Sequence, residues 1–270
     1  MSQQSPASFA TAAQPSVADT VIVTDATGLV VSDVAVPTAS GLLPGYLARP
    51  AFVAHPPILL VIQEIFGMHE HIRDVARRFA RIGYLTLAPQ LYHRQGDVLR
   101  LPDVAAIREV VARVPDAQVL ADLDACLAYA EVCGGDPGRA FVTGFCWGGR
   151  ISWLYAAHQP QLKAAVAWYG RLSGEVTALQ PRHPIDVAAE LKAPVLGLYG
   201  GQDAGIPLDS VRRMQTALER SPTESRIHLY PEAPHAFFAD YRPSYRRAAA
   251  EDAFERVKRF LHTHAGARTA

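Results

Sequence analysis

The chain has few cysteines, no basic residue before Arg49 and no long apolar run, and each lack removes a class of protein. Its 3 cysteines are Cys126, Cys133 and Cys146. The first two fall in one expected helix, two turns and so roughly 10 Å apart along its axis. A disulfide does not span that separation, and an odd cysteine count fits a reducing compartment. A secretory leader needs a positive start and an apolar stretch of about 7–15 residues, and twin-arginine export needs its arginines. Neither pattern is present. The longest aliphatic run, Ile58 to Ile62, is too short to cross a bilayer. The expected location is therefore the cytoplasm.

Charge of one sign is also missing. Lys+Arg and Asp+Glu are both 26, giving a net charge of zero with histidines neutral. That balance argues against a nucleic-acid or anionic-membrane partner. There is no Walker motif, no Gly-x-Gly-x-x-Gly after the first buried strand, no His-x-x-x-His and no Cys-x-x-Cys. No nucleotide cofactor and no metal are expected. The partner expected is a small-molecule substrate, and the chain is expected as a monomer or homodimer.

Hydrophobic residues make up 49% of 270, enough for one sizeable core. Residues 1–18, rich in Ser, Gln and Ala, read as a disordered tail. Residues 19–265 read as one α/β domain, with 19–50 contributing strands at Thr20–Thr24, Leu29–Val36 and Gly45–Ala48. Ile58–Gln63 has the continuous apolar look of a strand buried on both faces. Strands at Tyr84–Ala88, Ala140–Thr143, Leu162–Trp168, Val195–Tyr199 and Arg226–Tyr230 then alternate with helices at His69–Ile82, Asp116–Cys133, Trp147–Ala157, Leu208–Leu218 and Tyr245–His264. This alternation predicts a mostly parallel central sheet with helices on both faces.

The segment GFCWGGR, Gly144 to Arg150, lies between an apolar strand and an apolar helix. Strand, sharp turn and helix make a nucleophile elbow, with Cys146 where serine usually stands. Small residues at Gly144 and Gly148 let strand and helix approach, and the positive helix end favours a thiolate. The bland alternative is a buried cysteine in a glycine-rich turn. Ligands bind such sheets at the carboxyl ends of the strands. Glu64, Cys146, Asp203 and His235 all follow expected strands there. Cys146 would attack a carbonyl carbon, His235 would move the proton, and Asp203 would fix the ring's tautomer. Backbone N–H groups of Trp147 and Ile65 would hold the oxyanion. Taken singly, Asp203 also reads as a turn residue and His235 as packing. His69 and His71 read as surface residues at a helix start, and His228 as structural.

Five separated motifs, QEIFG (63–67), LYHRQG (91–96), GFCWGG (144–149), YGGQD (199–203) and APHAF (233–237), occur in order. Together they resemble the dienelactone hydrolase family, the carboxymethylenebutenolidases, and the likeness runs from about Val61 to the last helix. The resemblance implies an α/β-hydrolase fold without a large lid domain. It implies a triad at Cys146, His235 and Asp203, with Glu64 beside the nucleophile to take the thiol proton. The substrate it implies is an unsaturated lactone bearing a carboxylate, opened through a cysteine acyl-enzyme to maleylacetate. Arg94 matches one family arginine that would read the carboxylate. The second family arginine falls at Ala239 here, and Arg242 is the nearby candidate to replace it. Phe66, Trp147 and Tyr169 are expected as pocket walls. Rival readings keep the fold with another activated ester or thioester, make the protein a non-catalytic binder of acidic ligands, or make it a thiol redox sensor.

Overall fold

The computed structural model describes residues 9–266. The elements run β1 (Leu29–Thr38), β2 (Gly41–Pro50), β3 (Pro57–Ile62), α1 (Glu70–Arg81), β4 (Leu85–Pro89), α2 (Val104–Ala112), α3 (Asp116–Val132) and β5 (Asp136–Phe145). They continue with α4 (Trp147–His158), β6 (Leu162–Trp168), α5 (Pro184–Val187), β7 (Val195–Gly200), α6 (Leu208–Leu218), β8 (Arg226–Tyr230) and α7 (Arg247–His264).

These strands form one 8-stranded sheet in the order β1-β2-β4-β3-β5-β6-β7-β8. Only the β1–β2 and β2–β4 pairs are antiparallel, and the remainder are parallel. The two kinds of strand carry different sequences for a physical reason. β3, β4 and β7 are covered on both faces by helices and are apolar almost throughout. β1, at the sheet edge, alternates exposed and part-buried residues. The switch in strand order that makes room for a ligand lies between β3 and β5, as in other open α/β sheets.

Most of the expected elements are present, with ends shifted by a few residues. Three expectations change. Thr20–Thr24 is not a strand. Residues 18–20 form a 3₁₀ turn, and the Thr24 N–H donates to Asp74 at 2.5 Å while its carbonyl accepts from Arg77 at 2.6 Å. Side chains of α1 thus satisfy this backbone, so it needs no sheet partner. The tail expected over residues 1–18 is packed in its described part. Ala10 and Ala13 are buried, and Thr11–Ala13 makes a 3₁₀ turn. Two buried alanines and the Phe9 ring dock a segment whose composition reads as mobile; residues 1–8 lie outside the described residues. Finally, α2 was not foreseen. Its available signal was Asp103, whose carboxylate caps the helix by accepting from Ala106 N–H at 2.9 Å. Among the described residues no helix is long and apolar enough to cross a membrane.

Candidate active site

The turn after β5 is tight. Cys146 has φ 54° and ψ −112°, a left-handed backbone that costs strain in a residue with a side chain. The neighbouring glycines explain how the turn closes. A Cβ on Gly144 would sit 2.1 Å from the Gly148 carbonyl oxygen, and one on Gly148 would sit 2.6 Å from the carbonyls of Ile62 and Gln63. The elbow therefore presses α4 against the end of β3. Cys146 N–H donates to the Trp168 carbonyl at 3.0 Å, which pins the turn to β6 as well. The N–H groups of Trp147 and Ile65 have no acceptor among the described residues, and both residues line the cavity above the sulfur.

Strand register sets the neighbours. Ile62 pairs with Gly144, so Glu64 lies at the level of Cys146 on the adjacent strand extension. β7 and β8 end side by side, with Gly200 opposite Tyr230, and the loops beyond carry Asp203 and His235. His235 Nδ1 and Asp203 Oδ2 are 2.6 Å apart. Asp203 is itself fixed, its Oδ1 accepting from Gly205 N–H at 2.8 Å and Ile206 N–H at 3.2 Å. Burial alone would push the imidazole down. The Asp203 carboxylate and the Cys146 sulfur outweigh it and raise its pKa to about 10. The ring also meets Tyr169 edge-on, with centroids 5.2 Å apart. The structure therefore brings Cys146, His235 and Asp203 to one wall of a cavity of about 670 Å³, with Ile65, Trp147 and Tyr169 beside them.

Glu64 sits behind that wall, 1% exposed. Burial raises its pKa, but His69, His71 and Arg242 reverse the effect and hold the carboxyl at about 2. Its Oε2 accepts from the Tyr241 hydroxyl at 2.7 Å. His69 and His71 are not surface residues as expected. Each is 1% exposed, and His71 Nδ1 lies 3.2 Å from Asp240. They stand at the start of α1, where sequence periodicity points to solvent, but the loop after β8 and the N-terminal segment cover them.

The expected arginines do not face the cavity. Arg94 is committed elsewhere, donating to both oxygens of Asp122 at 2.6 and 3.0 Å and to the Thr38 hydroxyl at 2.7 Å. The fork ties the loop after β4 to α3 and to the β1–β2 hairpin. Arg242 lies over the Phe66 ring at 5.5 Å, and neither residue lines the cavity. Ala239, where the resemblance implied a second arginine, is fully buried.

Sequence reasoning missed the cations that do line it. Arg108 on α2 and Arg171 after β6 are exposed at the rim and lack an ion-pair partner among the described residues. Arg150 also lines it but is clamped, its guanidinium donating to both Asp116 oxygens at 2.7 Å and to the Arg182 carbonyl at 2.7 Å. His183 lies against that guanidinium and the Glu175 carbonyl, so the 171–183 loop is fastened to α3 and α4. The one available signal for Arg150 was its spacing, one helical turn beyond Cys146.

Comparison with known proteins agrees with this geometry. A family model described as "Dienelactone hydrolase family" matches residues 43–265. The chain is 56% identical over 252 residues to a "Putative carboxymethylenebutenolidase" of Methylorubrum extorquens, covering 93% of this chain and 87% of that protein. It is 50% identical over 260 residues to a protein of the same name from Escherichia coli K12, covering 96% of each. A crystal structure titled as a "Putative Dienelactone Hydrolase" from Klebsiella pneumoniae superposes with a TM-score of 0.85 at 52% identity, over 87% of this chain and 98% of that one.

Proposed function

From the premise that this chain belongs to the dienelactone hydrolase family and is a carboxylic ester hydrolase of α/β-hydrolase fold, we propose that it opens an unsaturated, carboxylate-bearing lactone through an acyl-enzyme on Cys146. The observation that carries the reading is the imidazole of His235, clamped by Asp203 and raised to about 10 beside a cysteine at the first turn of α4.

A free thiol, with a pKa of about 8.5, is mostly unreactive at neutral pH. Glu64 takes the Cys146 proton, and protonated His235 holds the resulting thiolate. The sulfur attacks the lactone carbonyl carbon, and the displaced electron pair becomes an oxyanion facing the N–H groups of Trp147 and Ile65. Collapse of that intermediate breaks the ring C–O bond and expels an enolate, which takes a proton and becomes the ketone. That proton comes from the imidazolium of His235, which, now neutral, draws a proton from water; the hydroxide attacks the thioester, the C–S bond breaks to release the acid, and Glu64 returns its proton to the departing sulfur. The sum is one water consumed per ring opened. An enolate leaves readily, which suits a thiolate nucleophile better than an alkyl ester with its poor alkoxide leaving group.

A second reading has its own support. Arg94 and Arg242, the arginines expected to read a carboxylate, do not line the cavity, and on that reading the substrate is another activated ester or thioester without a carboxylate. One experiment separates the two: purified enzyme against dienelactone isomers, neutral aryl esters and thioesters, with Cys146→Ala as control and mass spectrometry of quenched turnover. The first reading expects faster opening of the lactones, an acyl adduct on Cys146 and a loss of about 10³-fold or more in the variant. Activity that survives Cys146→Ala overturns the covalent mechanism. Preference for neutral esters moves the substrate to the second reading.

A further inference from the structure

Behind Cys146 lies a polar cluster that the reaction scheme uses only through Glu64. The Tyr241 hydroxyl donates to Glu64 Oε2 at 2.7 Å, and His69 Nε2 lies 3.6 Å from the same oxygen. The other oxygen, Oε1, is fully buried and has no hydrogen-bond partner among the described residues. Burial pushes the pKa of His69 down more than Glu64 raises it, so the ring is neutral at neutral pH. Of the two groups that approach Oε2, Tyr241 is the one at hydrogen-bond distance, and burial together with Glu64 keeps its phenol protonated.

The cluster is closed by the N-terminal segment. The Phe9 ring packs on His69 with centroids 5.7 Å apart and on Tyr241 at 5.4 Å. Ser16 N–H donates to the Tyr241 carbonyl at 3.2 Å, and the Thr20 hydroxyl donates to the Asp240 carbonyl at 2.5 Å. The same loop is anchored from below, where Arg78 bridges Asp240 and Asp74. The segment therefore fixes the backbone that carries Tyr241 and covers the ring edge through which water would reach Glu64.

We propose that Tyr241, covered by Phe9, is a positioning residue: it fixes one oxygen of Glu64 so that the other stays free to take the Cys146 proton. This rests on the reading of Cys146 as nucleophile. A carboxylate with one oxygen held and the other unpaired in a dry site is a directed base, because only one oxygen is left for the thiol. The phenol holds the carboxylate without itself carrying a charge.

Tyr241→Phe tests this, because it removes one oxygen and keeps the ring. The groups facing Glu64 are His69 and His71 from α1, Tyr241 and Arg242 from the loop after β8, and Tyr169 and Tyr92 from the loops after β6 and β4. All remain in the variant except the one hydroxyl. On an aryl ester, kcat is expected to fall about ten- to hundredfold with KM unchanged, the loss expected for one hydrogen bond to a charged group. Loss of a donor also raises the Glu64 pKa, so the acid limb of the kcat profile moves to higher pH. Alkylation of Cys146 by iodoacetamide, which needs no hydrolysis, is expected to slow in parallel. Phe9→Ala is expected to shift the acid limb the same way by a smaller amount. A Tyr241→Phe variant with wild-type kcat, acid limb and alkylation rate overturns the positioning role. Hydrolysis surviving in Cys146→Ala instead overturns the nucleophile reading beneath it, so the two failures are told apart.

Discussion

The two sides of Cys146 are built from the same sheet edge but obey different rules. On the outer side Ile65, Trp147, Tyr169 and His235 open onto a cavity of about 670 Å³, large enough for a small ester. On the inner side Glu64, His69, His71 and Tyr241 are almost completely buried and cross-bonded. The outer side must stay partly empty, since substrate has to enter. The inner side must stay full, since a carboxylate that water could reach would lose its directed lone pair. In the proposed scheme proton handling is divided between the two sides: an imidazole with a raised pKa faces the cavity, and a carboxyl with a depressed pKa lies behind it.

The comparison is broken most severely by removing the clamp on the outer side. Asp203→Asn takes away a carboxylate that raises the His235 pKa, so the imidazole falls from about 10 and gives up its charge at lower pH. The thiolate then loses its counter-ion first at the alkaline end. A loss of about 10²–10⁴-fold in kcat is expected, with slower Cys146 alkylation at neutral pH and a narrowed alkaline limb. Alkylation unchanged across pH 6–9 would mean that the inner side alone forms the thiolate.

Next in size is a change that touches neither side. Arg94→Ala leaves Asp122, which is 3% exposed, without its bidentate partner. A destabilisation of about 2–4 kcal/mol is expected, measured by denaturant unfolding, with equal kcat/KM effects on carboxylated and neutral substrates. A selective rise in KM for carboxylated substrates would instead give Arg94 a reading role. The smallest effect belongs to the rim. Arg171→Ala removes an exposed cation and is expected to raise KM for carboxylated substrates about three- to tenfold, weakening further with salt. No difference between charged and neutral esters would leave Arg108 as the rim cation to examine by the same substitution.

Much of the outer side was legible in the chain. A glycine on each side of Cys146 announced the elbow, and the apolar run before it announced the strand. The order nucleophile, acid, histidine followed from where the expected strands end. These are local patterns, and local patterns are what periodicity and turn chemistry report. The inner side was nearly illegible. His69 and His71 sit at a helix start, where the sequence points them at water, and residues far along the chain, Phe9 on one side and Asp240 and Tyr241 on the other, bury them. Phe9 lies in a segment whose composition reads as disordered, yet its ring closes the cluster.

The sequence by itself determined the alternation of strands and helices, the bend that lifts the sulfur, and the identity of the acid and the imidazole beside it, because each depends on neighbours within a few residues or on strand ends that share one edge. Tertiary structure alone decided which charges are free. Arg94 looked available until Asp122, 28 positions away, claimed it, and Arg171 looked unremarkable until the cavity opened beside it. Pairing is settled by distance in space, and a long flexible side chain reveals nothing of its partner until the elements that carry both have packed.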